Sequence, residues 1–327
     1  MCLYPIQVNN PKYKANKKNG GRIPALRDQR LLTVPVPCGN CMECRANKAR
    51  SWRVRLCEEI KQPGRAHFVT LTFNTKSLID LSTEIQEADK TIYGYKLDNA
   101  IATLAIRRFR MRWKKKFGKS IKHWLVTELG KENTEHIHLH GFLWTENPQE
   151  INNIWGYGYT HVGTYTNERT IAYCTKYVLK VDPKHKHYRP IILTTPGIGK
   201  AYLHTPHAAL NTYKGEQTRL HYTTRQGIRL NMPRYLRNKL YTDEQREALW
   251  ITQLDKGNRY ILGQEVNIND KDRRYTVILH NAKAKNSRLG YGSNRNDPIE
   301  YLRENQRRAK LQEQRKREHL DNKPRKE

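Results

Sequence analysis

Residues 136–140 read HIHLH. On an extended strand alternate residues share a face, so His136, His138 and His140 project together at steps of about 6.6 Å, while Ile137 and Leu139 project to the other side. Imidazoles in such an array can grip one metal ion. The run Ile121–Leu129 also has strand character, and GKENT joins it to a second run, Glu135–Trp144, with a loop length that suits a hairpin. Symmetric closure of that hairpin puts Leu129 opposite Glu135 and Glu128 opposite His136, beside His138 on the same face. A carboxylate then joins the imidazoles, which separates this strand from one that merely carries a surface histidine.

A second group follows in YCTKYVLK, Tyr173–Lys180. At about 100° per residue of helix, Tyr173, Tyr177 and Lys180 fall in one narrow sector with Lys176 at its edge, and Ile171, Cys174 and Val178 form the opposite, buried stripe. Two phenols therefore share one exposed face. A phenol with a pKa of about 10 is a weak nucleophile at neutral pH, so chemistry needs a cation or metal-bound phosphate that favours the phenolate. Lys176 and Lys180 supply charge for that purpose.

The elements that must hold these groups are legible in part. HFVTLTF, His67–Phe73, is a β-branched and aromatic run of strand length. Asp98 heads a stretch in which Ile101, Leu104, Ala105, Phe109, Trp113 and Phe117 recur at helical spacing until Gly118, and it is read as that helix's cap. Asn147–Trp155 reads as a short helix, Tyr157–Tyr165 as a strand, and Asn167 caps a helix running to about Lys180. The order βαββαβ, then α, predicts an α+β fold: one antiparallel sheet with helices on one face, the other face carrying the site. Four segments are expected: a loop-rich, Cys-containing N-terminal part (1–66), the sheet core (67–182), an extension of it (183–299) with a DNA-binding role, and a charged tail (300–327) read as a solvated helix or disordered.

Three cysteines of CGNCMEC, Cys38, Cys41 and Cys44, have spacing that suits thiolate coordination of structural zinc. Tetrahedral zinc needs a fourth ligand, for which Cys2 and Cys57 are available, Cys2 preferred. An iron cluster of the bacterial ferredoxin type would want a cysteine where Lys48 stands. The plainer reading is three reduced thiols in a turn. The following helix candidate, Cys41–Lys61, carries Arg45, Lys48, Arg50, Arg53 and Arg55, which can track a phosphate backbone. Phe109–Lys119 likewise interleaves basic and aromatic residues.

Charge narrows the partner. With 61 Lys+Arg against 31 Asp+Glu over 327 residues the formal net charge is +30, which points to a polyanion, nucleic acid by default. Residues 300–327 hold ten Lys/Arg and six Asp/Glu, so the body itself is basic. The longest apolar run, Ala100–Ile106, is far short of the roughly 18–20 residues that span a bilayer. No membrane partner is expected. The first residues lack the apolar core of a secretion signal, so a reducing cytoplasm is expected and six cysteines are not a disulfide framework. PGIGK at Pro196–Lys200 lacks the full phosphate-loop pattern, so no nucleotide-driven motor is expected.

The two site motifs together resemble the HUH endonuclease family, named for its His-hydrophobe-His strand and its tyrosine helix. FVTLTF resembles the family's first motif, His138-Leu139-His140 with Glu128 its metal-binding motif, and Tyr173 with Tyr177 its paired tyrosines. A closer resemblance is to replication initiators of the gokushovirus-like branch of microviruses, bacteriophages with small single-stranded genomes. It is carried by MCLYP at the start, PCGNCMEC leading to Trp52 and Arg55, WGYGY at Trp155, PGIGK, and MPRYLRNKL at Met232. The resemblance implies Mg²⁺ or Mn²⁺ on Glu128, His138 and His140, with His136 an extra, second-rank candidate. It implies that a tyrosine attacks the scissile phosphate to leave a 5′-phosphotyrosine link and a 3′-hydroxyl that primes rolling-circle synthesis. Its partners would be single-stranded DNA, the replicative-form origin, and a host helicase with the host replication machinery, in the host bacterial cytoplasm. A different class is a non-catalytic, zinc-containing nucleic-acid-binding protein, since RNA-recognition modules share βαββαβ order, but their aromatic signature is missing here.

Overall fold

The computed structural model describes residues 1–130, 135–163, 165–268, 273–294 and 298–321, the side chain of Lys18 excepted. The chain divides into two compact units, Met1–Ser51 with Leu203–Asn296, and Trp52–Tyr202 with Asp297–Glu327. Each is built from separated stretches of sequence.

In the first unit β1 (Ile6–Asn9) pairs antiparallel with β2 (Thr33–Val36), and α1 (Met42–Glu59) begins just past the cysteines. The division between units falls within α1. The second unit continues with β3 (Ala66–Leu71), α2 (Thr75–Ala88), α3 (Gly94–Phe117), β4 (Lys122–Leu129), β5 (Ile137–Trp144), α4 (Glu150–Trp155), β6 (Thr160–Val162), α5 (Glu168–Leu179) and β7 (Ile192–Thr194). The chain then returns to the first unit through α6 (Pro206–Ala209), the hairpin β8 (His221–Thr223) and β9 (Arg229–Asn231), α7 (Arg234–Leu240), α8 (Asp243–Lys256), the hairpin β10 (Asn258–Ile261) and β11 (Gln264–Asn267), and α9 (Arg274–Arg288). Finally α10 (Pro298–Asp321) belongs to the second unit.

The fold is α+β, as the sequence predicts. Its sheet has five strands in the order β6-β3-β5-β4-β7, every neighbouring pair antiparallel. Alternation sorts the side chains. Val69, Leu71, Leu125, Ile137, Leu139 and Leu143 are fully buried in a core shared with Ile101, Ala105 and Phe109 of α3, Leu81 of α2 and Trp155 of α4. Each such side chain contributes roughly 1.5–3 kcal/mol of burial. The opposite face carries the histidines. At one end of it Trp52 of α1 meets Trp124, ring centroids 5.8 Å apart; at the other, α5 lies over His140.

Gly141 follows the histidines for a steric reason. Any Cβ there would collide with the Trp124 carbonyl of β4, so only glycine lets the strands approach. Gly199 in PGIGK meets a similar limit, because a Cβ would stand 2.8 Å from the Arg55 backbone; its N–H donates to Glu59 at 2.7 Å instead. That motif is a turn docked on α1.

Four expectations change. The hairpin register is shifted from the symmetric closure: Glu128 faces His138 rather than His136, and Leu129 faces Ile137 rather than Glu135. Pairing stops there because the Gly130 N–H donates to the His136 carbonyl and Glu135 takes a left-handed φ of 46°, so Glu135 and His136 belong to the turn. Residues 131–134 of GKENT lie outside the described residues. Asp98 does not cap α3, which starts four residues earlier at Gly94; it is buried and paired with Arg308 at 2.8 and 3.0 Å. A helix over Thr75–Ala88, capped by Asn74, intervenes between the first strand and α3. Within the described residues the charged tail is neither solvated nor disordered. It is the docked helix α10, whose Asn305 and Gln312 side chains accept hydrogen bonds from the Tyr95 and Gly94 N–H groups at 2.9 and 3.1 Å. Those are the first amides of α3, which no helical carbonyl can satisfy.

Candidate active site

The hairpin β4–β5 sets the centre of the site. The Glu128↔His138 pairing and strand alternation bring Glu128, His138 and His140 to one face, their ligand atoms all within 4.8 Å of one another. The imidazole Nε2 atoms of His138 and His140 lie 3.3 and 3.1 Å from the same Glu128 oxygen. Burial holds both rings below the ordinary histidine pKa, His140 at about 3 with a further push from His138. They are therefore neutral near pH 7, the state that binds metal.

Hydrogen bonds fix the rings. His138 Nδ1 lies 3.2 Å from the His136 carbonyl, so in the neutral ring that nitrogen carries the proton and Nε2 presents a lone pair toward Glu128. Two acceptors facing each other leave a place for a cation. His140 Nδ1 is tied to the Thr70 hydroxyl at 2.9 Å. His136 itself turns its Nδ1 to the Phe73 carbonyl, 3.1 Å away, and is absent from the metal-capable group.

Asn167 starts α5 with a capping box, its side chain accepting from the Arg169 and Thr170 N–H groups. With Ile171, Cys174 and Val178 buried, the phenols turn to the sheet. The Tyr177 ring stacks on His140, centroids 4.3 Å apart and 11° from parallel. Tyr177 donates from its hydroxyl to that of Tyr173 at 2.8 Å, and Tyr173 sets its ring edge-on to Phe68. Burial, followed by the neighbouring Tyr173, pushes the Tyr177 phenol above its usual pKa. Lys180 contacts the second oxygen of Glu128 and also stands 5.7 Å from the Tyr177 ring. Lys176 is exposed one turn before it.

The four thiols Cys2, Cys38, Cys41 and Cys44 also form one metal-capable group within the same 4.8 Å limit. Cys57 lies elsewhere on α1, its thiol pushed up to about 12 by burial. Backbone N–H groups point at the sulfurs, Tyr4 and Cys38 at Cys2, and Cys41 at Cys38. A hydrogen bond from Cys44 lowers Cys41 to about 5, whereas burial raises Cys38 to about 11 and the bond to Cys41 raises Cys44. Without a cation, one thiolate is all that such crowding favours. Leu3, Ile261 and Ala282 enclose the group.

The five basic residues of α1 separate. Lys48 is exposed and Arg50 is paired with Asn47 at 2.7 Å. Arg53 is half-buried. Arg45 is buried with its guanidinium 5.8 Å from the Tyr291 ring. Arg55 donates to the Ile198 carbonyl at 2.9 Å and stacks on Trp52 at 4.0 Å. Arg45 and Arg55 thus serve packing, which corrects their reading as backbone-tracking groups.

Sequence reasoning also missed supporting residues. Thr70 is the middle of FVTLTF and pairs with His140 across the sheet. Arg308, on α10, donates to the Glu135 carbonyl at 2.9 Å, next to the carbonyl that orients His138. Nothing local marks Arg308, one basic residue in a charged run.

A five-stranded antiparallel sheet with a Glu/His/His group beneath a tyrosine helix defines a class of metal-capable sheet proteins built to act on one small patch of substrate. Residues 66–182, which hold every one of these site residues, match the Replication-associated protein family of the ORF2 type. That match supports a replication initiator of the rolling-circle type. No curated protein and no solved structure matches the chain.

Proposed function

We propose that this chain nicks and rejoins single-stranded DNA at a replication origin by tyrosine transesterification. The observation that carries the reading is the stacking of Tyr177 on the metal-capable His140 with its hydroxyl bonded to Tyr173. A divalent ion on Glu128, His138 and His140 would polarise the scissile phosphate. Two imidazoles and one carboxylate suit Mn²⁺ better than Mg²⁺, which favours all-oxygen sites.

Tyr173 is the first nucleophile in this reading. It accepts the Tyr177 proton donor, a bond that strengthens when the acceptor is a phenolate. Its oxygen bonds to phosphorus as the bond to the 3′-oxygen breaks; the phenol gives up one proton and the departing oxygen takes one up. The product is a 5′-phosphotyrosine link and a 3′-hydroxyl primer. Tyr177, one turn along, serves the closing transfer. Lys180 holds Glu128 in place, and Lys176 faces the phosphates. The replicative-form origin, a host helicase and the host cytoplasm complete the role, in keeping with the likeness to microvirus initiators. The Cys2, Cys38, Cys41 and Cys44 group holds structural zinc in this reading, and Lys48 and Arg50 meet the DNA backbone.

The test is a denaturing gel of protein incubated with origin-containing single strands and Mn²⁺. A covalent adduct is expected for the parent and for Tyr177→Phe, and none for Tyr173→Phe, His138→Ala or the chelated protein. An adduct that survives in Tyr173→Phe but not Tyr177→Phe reverses the order of attack. Tight binding with no adduct in any sample favours the non-catalytic binding protein.

A further inference from the structure

The first unit contains a cavity of about 380 Å³ that the nicking chemistry does not use. Its volume is in the range of small-ligand pockets, roughly 300–1,000 Å³. Arg234, Arg237 and Arg246 line it, with Glu247 the one carboxylate among its lining residues. That carboxylate is already engaged: one of its oxygens accepts from Lys12 at 2.5 Å and from the Tyr13 hydroxyl at 2.9 Å. Arg246 is held by the Tyr241 carbonyl at 2.7 Å and by Asp243.

Arg237 is the unusual member. Its Nε is buried and has no hydrogen-bond partner, an arrangement that costs free energy unless something accepts from it. Burial, and after it the charge of Arg234, lowers its pKa. Crowded guanidiniums with an unused buried donor call for an anion, and a planar fork of donors matches a phosphate. The remaining walls include Leu31, Val34, Leu249 and Trp250, apolar and aromatic surface on which a base can stack.

We propose that this cavity holds one phosphate-bearing nucleotide of a DNA strand, which anchors the DNA on the first unit. The identity of the ligand as DNA rests on the proposed function; the existence of a phosphate site rests on the cavity alone.

The test measures binding of a labelled single strand to the full chain by fluorescence anisotropy across a salt series, using parent, Arg234→Gln, Arg237→Gln and Arg229→Gln. Arg229 is exposed and does not line the cavity, so it controls for loss of bulk charge. Arg234 is exposed as well, so its variant folds even if Arg237→Gln does not. Each cavity variant is expected to weaken binding roughly three- to tenfold at ~0.15 M salt and to flatten the slope of log K against log salt by about 0.7. Arg229→Gln should do neither, and Arg237→Lys, which keeps the charge and loses the fork, should recover affinity in part. Unchanged affinity and slope in both cavity variants overturn the proposal. So does saturable binding of dAMP that Arg237→Gln abolishes while strand binding stays intact, since the cavity would then serve a free nucleotide. Running the series with His138→Ala keeps the two readings apart, because absence of an adduct refutes the nicking chemistry and leaves the anisotropy result standing.

Discussion

Arg308 offers a sharp test of whether α10 is part of the sheet unit. Its side chain is fully buried, forms two bonds to Asp98 at 2.8 and 3.0 Å, and reaches Glu135 at 3.3 Å. Arg308→Met fills much of the volume and removes the charge, leaving Asp98 with Gln312 as its remaining partner at 3.0 Å. Breaking a buried pair by removing one partner costs about 3–5 kcal/mol. With a urea m-value of about 2–3 kcal/mol/M, the midpoint should fall by about 1–2 M. Tryptophan fluorescence reads the right unit, because Trp52, Trp113, Trp124, Trp144 and Trp155 lie in it and only Trp250 lies in the other. Adding Asp98→Asn to Arg308→Met should restore part of the loss, since no uncompensated charge then remains at Asp98. A change below about 1 kcal/mol in the single variant would refute the reasoning, because it would mean the arginine is solvated and the helix undocked.

Three further outcomes follow from the site. Burial holds His140 at about 3 and lowers His138 as well, so Mn²⁺ affinity by calorimetry should stay flat from pH 7.5 to about 5.5, below the ~6.5 at which an exposed histidine begins to take up protons; a tenfold loss over that interval would contradict the assignment. Stability has a related window: buried His123 is held at about 4, below its unfolded value, so the unfolded chain binds more protons between about 6.5 and 4 and stability falls as pH falls through that range, by on the order of 3 kcal/mol for this residue. Acid titration of the parent against His123→Gln should show the steeper loss in the parent. Metal analysis should find one zinc per chain, lost in Cys2→Ser and retained in Cys57→Ser; the reverse pattern would make Cys57 the fourth ligand.

The site was more legible than its supports. Alternation in HIHLH needs only the period of a strand, and Asn167 announces α5 by the chemistry of a helix start, so both could be read locally. The hairpin register could not, because it turns on Glu135 adopting a left-handed backbone and withdrawing His136 from the strand. Asp98 looks like a cap to a local reading; only Arg308, distant in sequence, explains why an aspartate is buried inside a helix. The helix Thr75–Ala88 did carry a signal, the Asn74 cap followed by Leu78, Leu81 and Ile85 at helical spacing. β7 is three residues long, too short for any period to show. Pairing of Met1–Ser51 with Leu203–Asn296 depends on contacts that no local pattern encodes.

The bond from Arg308 to the Glu135 carbonyl joins residues 173 positions apart, and that distance has a meaning in time as well as in space. Bacterial ribosomes add about 5–20 residues per second, so the histidine hairpin waits roughly 10–35 s after its own synthesis for the helix that secures its turn. Until α10 emerges, Glu135 and Asp98 have no arginine and the first amides of α3 have no acceptors. A nascent chain can therefore assemble the sheet but not lock the turn that orients His138. The competence to cut DNA would arrive late in translation, after the chain has also supplied the unit that grips the strand, so that an incomplete polypeptide is a poor nuclease by construction.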